Sequence, residues 1–270
     1  MTITTMDGLI AALGTSQDQQ LYFPSATNVA GGWVNINQAV TSSFGILAAP
    51  TAASSGGKTF NQSTTSPGIP RWTAGSGTST YIGRWGSTFA TAGTLHLYDC
   101  YWACSGFVGN VTTAQTVTGF SGMPSRNSNG VGAEIWIGCS SAIGATAHNV
   151  TVQYTNQSGT SGRNTVSTAG IASMPANRMY QVPLQSGDTG VQSVQGITLS
   201  ASSGTAGNLW VLVMNRLASI SAPVTNVSNV ADAFALGFPK IDDEACLIFV
   251  HQATTTSSGI IIGQLSIVQG

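Results

Sequence analysis

Between Val131 and Val166 the sequence reads VGAEIWIGCSSAIGATAHNVTVQYTNQSGTSGRNTV, and no other stretch constrains the fold as much. Val150, Val152 and Tyr154 alternate with Thr151 and Gln153, the period of a strand with one face in a core. Ile135, Trp136 and Ile137 form an apolar β-forming run before it, and the small residues from Gly138 to His148 supply a connecting loop. Asn156 to Gly162 is a turn cluster with two glycines, and a further strand start follows at Asn164 to Thr168. Such a unit is antiparallel β-structure. It assembles no catalytic site.

The rest of the chain carries the same signals in weaker form. Trp33, Val34 and Ile36 suggest a strand after the Gly31-Gly32 break, and Phe44 to Leu47 suggests another. Leu95 to Trp102, LHLYDCYW, is strand-like with Asp99 discordant inside it, and Val108 to Phe120 continues the β pattern. Met179 to Leu184 and Gly196 to Ser200 follow. Leu209 to Met214, LWVLVM, is the strongest apolar run and fits a strand buried on both faces. Asp242, Asp243 and Glu244 make an acidic turn before strands at Ala245 to His251 and Gly259 to Val268. Short strands with turn signals at fairly even spacing predict an all-β fold, a jelly-roll or β-sandwich core over residues 91–270.

Residues 1–90 read as an N-terminal helix and an extended arm or loop region. Thr5 can cap the helix, Met6, Leu9, Ile10 and Leu13 fall at i, i+3, i+4 and i+7, and Gly14 can end it. A helix this short is unstable alone, so it must dock on its own domain or on a neighbouring subunit. Pro50 to Thr80 is rich in Gly, Ser, Thr and Pro and reads as a long loop. Arg71-Trp72 and Arg84-Trp85 stand out in this region. An Arg beside a Trp suits an interface anchor, and the alternative is a surface Arg beside a half-buried Trp. The candidate interface residues are therefore Met6, Leu9, Ile10, Leu13, Arg71, Trp72, Arg84 and Trp85.

Composition narrows the function. Charged residues make up 6% of the chain, against roughly 25% in an average globular protein. Exposed charge keeps protein surfaces apart, so a chain this poor in it is expected to be covered by an assembly. A net charge of -1 leaves no electrostatic footprint for nucleic acid or anionic lipid. Cys100, Cys104, Cys139 and Cys246 fit buried free thiols better than disulfides or zinc ligands. No signal peptide and no apolar run of the length a membrane span needs is read.

No chemistry-bearing motif survives inspection. Ala52 to Thr59, AASSGGKT, meets a loose phosphate-loop pattern, but Phe60 to Pro70 is a poor helix and no magnesium partner follows. His96, His148 and His251 stand in no pattern with a nucleophile, and the acidic triplet lacks the spaced ligands of a calcium loop. The expectation is a protein that is not an enzyme and holds no metal or cofactor.

The block GAEIWIGCSSAIGATAHNVTVQYTNQSGTSGR, Gly132 to Arg163, and the block GFPKIDDEACLIFVHQATTTSSGIIIGQLSIVQ, Gly237 to Gln269, resemble segments of virion structural proteins of tailed bacteriophages. In those relatives a Tyr-Thr-Asn-Gln-x-Gly-Thr-x-Gly-Arg turn and a terminal strand pair recur. The resemblance covers about a quarter of the chain. It implies a β-rich capsid decoration (cement) protein, made in the host bacterial cytoplasm and carried on the capsid exterior. Its partners would be the major capsid protein and itself, as a symmetric homo-oligomer such as a trimer, with no nucleic acid or membrane bound. The alternative is a tail-associated structural or receptor- or glycan-binding protein using Trp72, Trp85 and Trp102. A carbohydrate-active enzyme on a β scaffold is a third reading.

Overall fold

A computed structural model describes residue 3 and residues 5–26, 33–35, 52–62, 79–256 and 259–270. The helix α1 (Met6–Leu13) leads into β1 (Gln17–Ala26) and β2 (Trp33–Asn35). A 3-10 turn at Ala53–Ser55 precedes β3 (Lys58–Thr59), β4 (Thr80–Phe89), β5 (Gly93–Phe107) and β6 (Gln115–Thr116). Next come β7 (Glu134–Ser141), β8 (His148–Asn156), β9 (Arg163–Asn164), β10 (Thr168–Ile171), β11 (Arg178–Val182) and β12 (Val191–Leu199). The last five are β13 (Asn208–Ala222), β14 (Ser228–Asp232), β15 (Lys240–Ile241), β16 (Leu247–Ala253) and β17 (Gly259–Gln269). The fold is all-β with one short N-terminal helix, and its strand pairs are antiparallel.

Contacts divide the chain into two compact units. The first comprises Met1–Leu47, Gln62–Asp99 and Arg216–Gly270, the second Ala48–Asn61 and Cys100–Asn215. The division expected at residue 90 is therefore not the one observed. β1 and β4, from the region read as an arm, flank the C-terminal β17 in one sheet, because register matches Leu21 to Gly263 and Leu265 to Trp85. Each unit takes its strands from distant parts of the sequence, and the boundary falls inside β5 and β13.

In the first unit the sheet runs β1-β17-β4-β14, with β15 also pairing β4. Its inner face packs Leu21, Phe23, Ile82, Trp85, Phe89, Leu265 and Ile267 against Leu95, Leu97, Phe249 and Ile220. β16 pairs the first half of β5, from Leu247 opposite Asp99 to Ala253 opposite Gly93. Asp99, discordant in the sequence, is buried there and its carboxylate accepts the Cys246 backbone N–H at 2.9 Å. Burying a carboxylate is tolerable when donors meet it.

The second unit is a sandwich built on the stretch that dominates the sequence. β8 lies between β10 and β12, while β7 pairs β11 and the Asn208–Met214 part of β13. Val150, Val152 and Tyr154 of β8 meet Ile135 and Ile137 of β7 and Leu209, Val211 and Val213 of β13 in one core. The LWVLVM run is buried at every position, as its unbroken apolarity predicts. Val108 to Phe120 departs from expectation: only Gln115–Thr116 forms a strand. The side chain of Gln115 instead bonds the Val108 N–H and carbonyl and the Val111 carbonyl, which closes a loop. Ile36 and Phe44 to Leu47 lie outside the described residues.

Candidate interaction surface

The turn motif that carries the resemblance folds into a polar knot. Tyr154 ends the buried face of β8, Asn156 closes the strand, and Arg163 opens β9; all three side chains converge on Asp188. Arg163 donates to it through Nε at 2.9 Å and Nη2 at 3.1 Å, Asn156 through Nδ2 at 2.8 Å, and Tyr154 through its hydroxyl at 2.5 Å. The Tyr154 oxygen in turn accepts the Gln185 N–H at 2.9 Å, while the Asn156 Oδ1 accepts the Ser158 and Thr160 N–H groups. Arg163 above all, opposed by burial and helped by the other donors, holds the Asp188 carboxyl at about 2. Burial and the bond to Asp188 push the Tyr154 phenol up to about 12. These groups are saturated by one another, so the knot fixes a turn and offers no free acid or base.

The phosphate-loop lookalike also has a structural use. Lys58–Thr59 forms a short strand against β5 where a phosphate loop would open a helix. The Gly56 carbonyl accepts the Trp102 indole N–H at 3.1 Å, and a Cβ on Gly57 would lie 2.4 Å from that ring. Gly57 is there for the tryptophan, whereas a Cβ on Gly56 would lie 1.8 Å from the Gly119 carbonyl oxygen.

Among the described residues, no group of three or more His, Cys, Asp or Glu could hold a metal ion. Burial, with Arg216 and His251 nearby, lowers His96 to about 4, and burial lowers His251 to about 4. His96 Nδ1 lies 2.7 Å from the Ser219 hydroxyl, in the first unit. Burial raises Cys104 to about 12 and Cys139 to about 11, and all four cysteines are free and buried.

The sequence-derived interface residues separate. Thr5 caps α1 by accepting the Gly8 N–H at 3.1 Å, as expected. The buried stripe of the helix is Leu9, Ala12 and the partly buried Leu13, packed on Val268, Ala233 and Tyr81. β4 admits it through Gly83, where a Cβ would lie 2.9 Å from Leu13. Met6 and Ile10 point away and are 50% and 60% exposed. Arg84 is exposed, in register with Asp232. Trp85 is a correction: it is fully buried, its indole N–H donates to Ser87 at 2.9 Å, and its ring packs against Phe249, so it cannot anchor a partner. Arg71 and Trp72 lie outside the described residues.

Besides Met6 and Ile10, residues that the sequence pattern did not single out complete the surface. Of twelve exposed large hydrophobic residues among those described, ten belong to the first unit: Met6, Ile10, Tyr22, Val224, Val227, Val230, Phe234, Phe238, Ile260 and Ile262. Five of them fall between Pro223 and Pro239, PVTNVSNVADAFALGFP, where Asp232 is the single charge. That density of large apolar residues without a strand or helix period was the available signal. A cleft of about 290 Å³ is lined by Ile3, Thr5, Met6, Phe234 and Phe238. A shallower hollow of about 310 Å³ lies over β17 and β4, bounded by Gln20, Thr88, Ser228, Val230, Ile262 and Gln264. No helix among the described residues is long and apolar enough to cross a membrane.

No protein-family model and no curated protein matches the sequence. Solved structures aligned to the chain include T=1 particles derived from infectious bursal virus, at 13% identity and a TM-score of 0.19 over 75% of this chain and 43% of that one. The VP2 subviral particle of infectious bursal disease virus aligns at 10% identity and a TM-score of 0.20, over 94% of this chain and 80% of that one. The chain thus spans less than half the length of the first of these. TM-scores of this size do not establish a shared fold.

Proposed function

We propose that this chain is a virion structural protein of a bacteriophage, a capsid decoration protein that binds the outer shell, acts by contact and not by turnover, and assembles as a homo-oligomer. The observation that carries the reading is the gathering of ten of the twelve exposed large hydrophobic residues on one unit of a chain with 6% charge. Monomeric soluble proteins rarely leave contiguous apolar surface uncovered, and such patches mark contact sites. The resemblance of Gly132 to Arg163 and Gly237 to Gln269 to phage virion proteins supplies the kind of particle. An oligomer that bridges several shell subunits would turn weak apolar contacts into firm attachment by multivalency. The test is add-back: purified chain is mixed with particles that lack it, and the temperature of shell opening is measured. Binding with a raised opening temperature supports the reading; no binding, or binding without added shell stability, counts against it.

A second reading is attachment in the tail with recognition of a neutral glycan. It draws on the hollow lined by Gln20, Gln264, Thr88 and Ser228, uncharged groups that suit sugar hydroxyls. Trp85 and Trp102, proposed for that role from sequence, are fully buried and do not contribute.

A further inference from the structure

In the second unit β8 turns Val150, Val152 and Tyr154 into the core, so Thr151, Gln153 and Thr155 stand on the outer face of its sheet. Register sets a row across that face: Asn164 of β9 lies opposite Gln153 of β8, Gln153 opposite Gly196 of β12, and Gly196 opposite Thr116 of β6. No side chain fits in the middle of the row, because a Cβ on Gly196 would lie 2.4 Å from the Gln115 carbonyl oxygen. A cavity of about 110 Å³ is lined by these residues together with Gln195 and Thr198. β12 bulges at Gln195, the extra residue between Val194 opposite Tyr154 and Gly196 opposite Gln153. Bulges re-aim side chains and gather beside functional sites. Here the Gln195 amide is fixed, its Nε2 donating to Ser193 Oγ at 2.7 Å and to Thr155 Oγ1 at 3.0 Å, while its buried Oε1 has no partner among the described residues. Thr116, Gln153, Asn164 and Thr198 are exposed, and their side chains make no hydrogen bond among the described residues.

We infer that this cavity holds one ring of a neutral sugar. Its lining carries no charge. A phosphate, a nucleotide or an acidic sugar would therefore lose hydration without gaining a counter-charge, and a metal ion would find no carboxylate. Arg163, beside Asn164 in sequence, is committed to Asp188. An apolar ligand would strand amides and hydroxyls without partners. Sugar hydroxyls both donate and accept, as the Gln, Asn and Thr side chains do. The cavity is well below the roughly 300 Å³ at which drug-sized sites begin, which suits one ring and not an extended peptide. No aromatic ring lines it, so a single sugar should bind with a Kd of about 1 mM. The site is separate from the hollow over β17 and β4, and it stands whether the chain sits on a capsid or in a tail. Only the gain from many copies acting together on one particle rests on the virion reading.

Titration of the full chain with methyl glycosides of glucose, galactose, mannose and N-acetylglucosamine, followed by proton–nitrogen correlation spectra, tests it. At least one sugar should give saturable shifts centred on the side-chain amides of Gln153, Asn164 and Gln195. Gln153→Ala and Asn164→Ala should each weaken binding by about tenfold with an unchanged melting temperature, because both side chains are exposed. Gln264→Ala, in the hollow, should leave it unchanged. Glucuronate should bind no more tightly than the neutral sugars. No saturable shift with any of them at about 100 mM overturns the site. So do unsaturable shifts spread over exposed amides, shifts centred on Gln20 and Gln264, tighter binding of glucuronate, or a Gly-Ser peptide that shifts these amides where no sugar does. Any of these results leaves shell attachment, read by add-back to particles, untouched.

Discussion

Arg163 grips Asp188 with two guanidinium nitrogens, Nε at 2.9 Å and Nη2 at 3.1 Å, and thereby joins the turn after β8 to the loop before β12. The planar fork matches a carboxylate as a lysine cannot. Tyr154 completes the knot from inside the core, so it couples sandwich packing to turn geometry. Tyr154→Phe keeps the packing and deletes one hydroxyl with two partners. It should lower unfolding free energy by about 1 to 3 kcal/mol in denaturant titration. Arg163→Lys should destabilise as well, in spite of its retained charge.

Acid should unfold the chain in two ranges. His96 and His251 lie at about 4 in the folded state, below the ordinary 6.5, so between these values the unfolded chain binds more protons. Stability should therefore fall as pH drops from about 6.5 to 4, then stop falling on their account. Asp188, at about 2 against an ordinary 3.8, contributes stability that is present above about pH 4 and is lost as pH falls toward 2. Denaturation midpoints measured from pH 7 to pH 2 check both ranges. His251→Gln should make the first range shallower, leaving the part due to His96, and should leave the second unchanged.

Thiol chemistry should be silent in the native protein. All four cysteines are buried, and Cys104 and Cys139 are raised to about 12 and about 11, so thiolate is scarce at pH 8. A chromogenic disulfide reagent should register almost no thiol until denaturant is added, and four afterwards. Rapid native labelling would contradict the burial.

The docking of α1 should depend on its cap and on one glycine. Thr5→Ala removes the acceptor for the Gly8 N–H and should cost about 1 kcal/mol. Gly83→Ala puts a Cβ 2.7 Å from Val268 and 2.9 Å from Leu13, which should cost about 1 to 3 kcal/mol through overpacking. Hydrogen exchange over Met6–Leu13 reads both, with faster exchange expected.

How much of this was legible in the sequence depended on whether neighbours in sequence are neighbours in space. The α1 boundaries, the Thr5 cap and the alternation of Val150, Val152 and Tyr154 are local and were readable. The placement of β1 against β17 is set by contacts across most of the chain, so residues 1–90 read as an arm. Trp85 was misread because burial of a strand residue depends on which face the sheet turns inward, and Arg84 beside it gave a false cue. Asp188 escaped notice entirely. Its significance comes from Tyr154, Asn156 and Arg163, which reach it only after β8 and β12 pair.

The central claim is that the chain exists to cover, and be covered by, other protein surfaces on a virion. Quantitative mass spectrometry of purified native particles, with the chain counted against the major capsid protein, tests it most directly. The account predicts on the order of hundreds of copies per particle, as multivalent decoration requires. A handful of copies, or none, would contradict it.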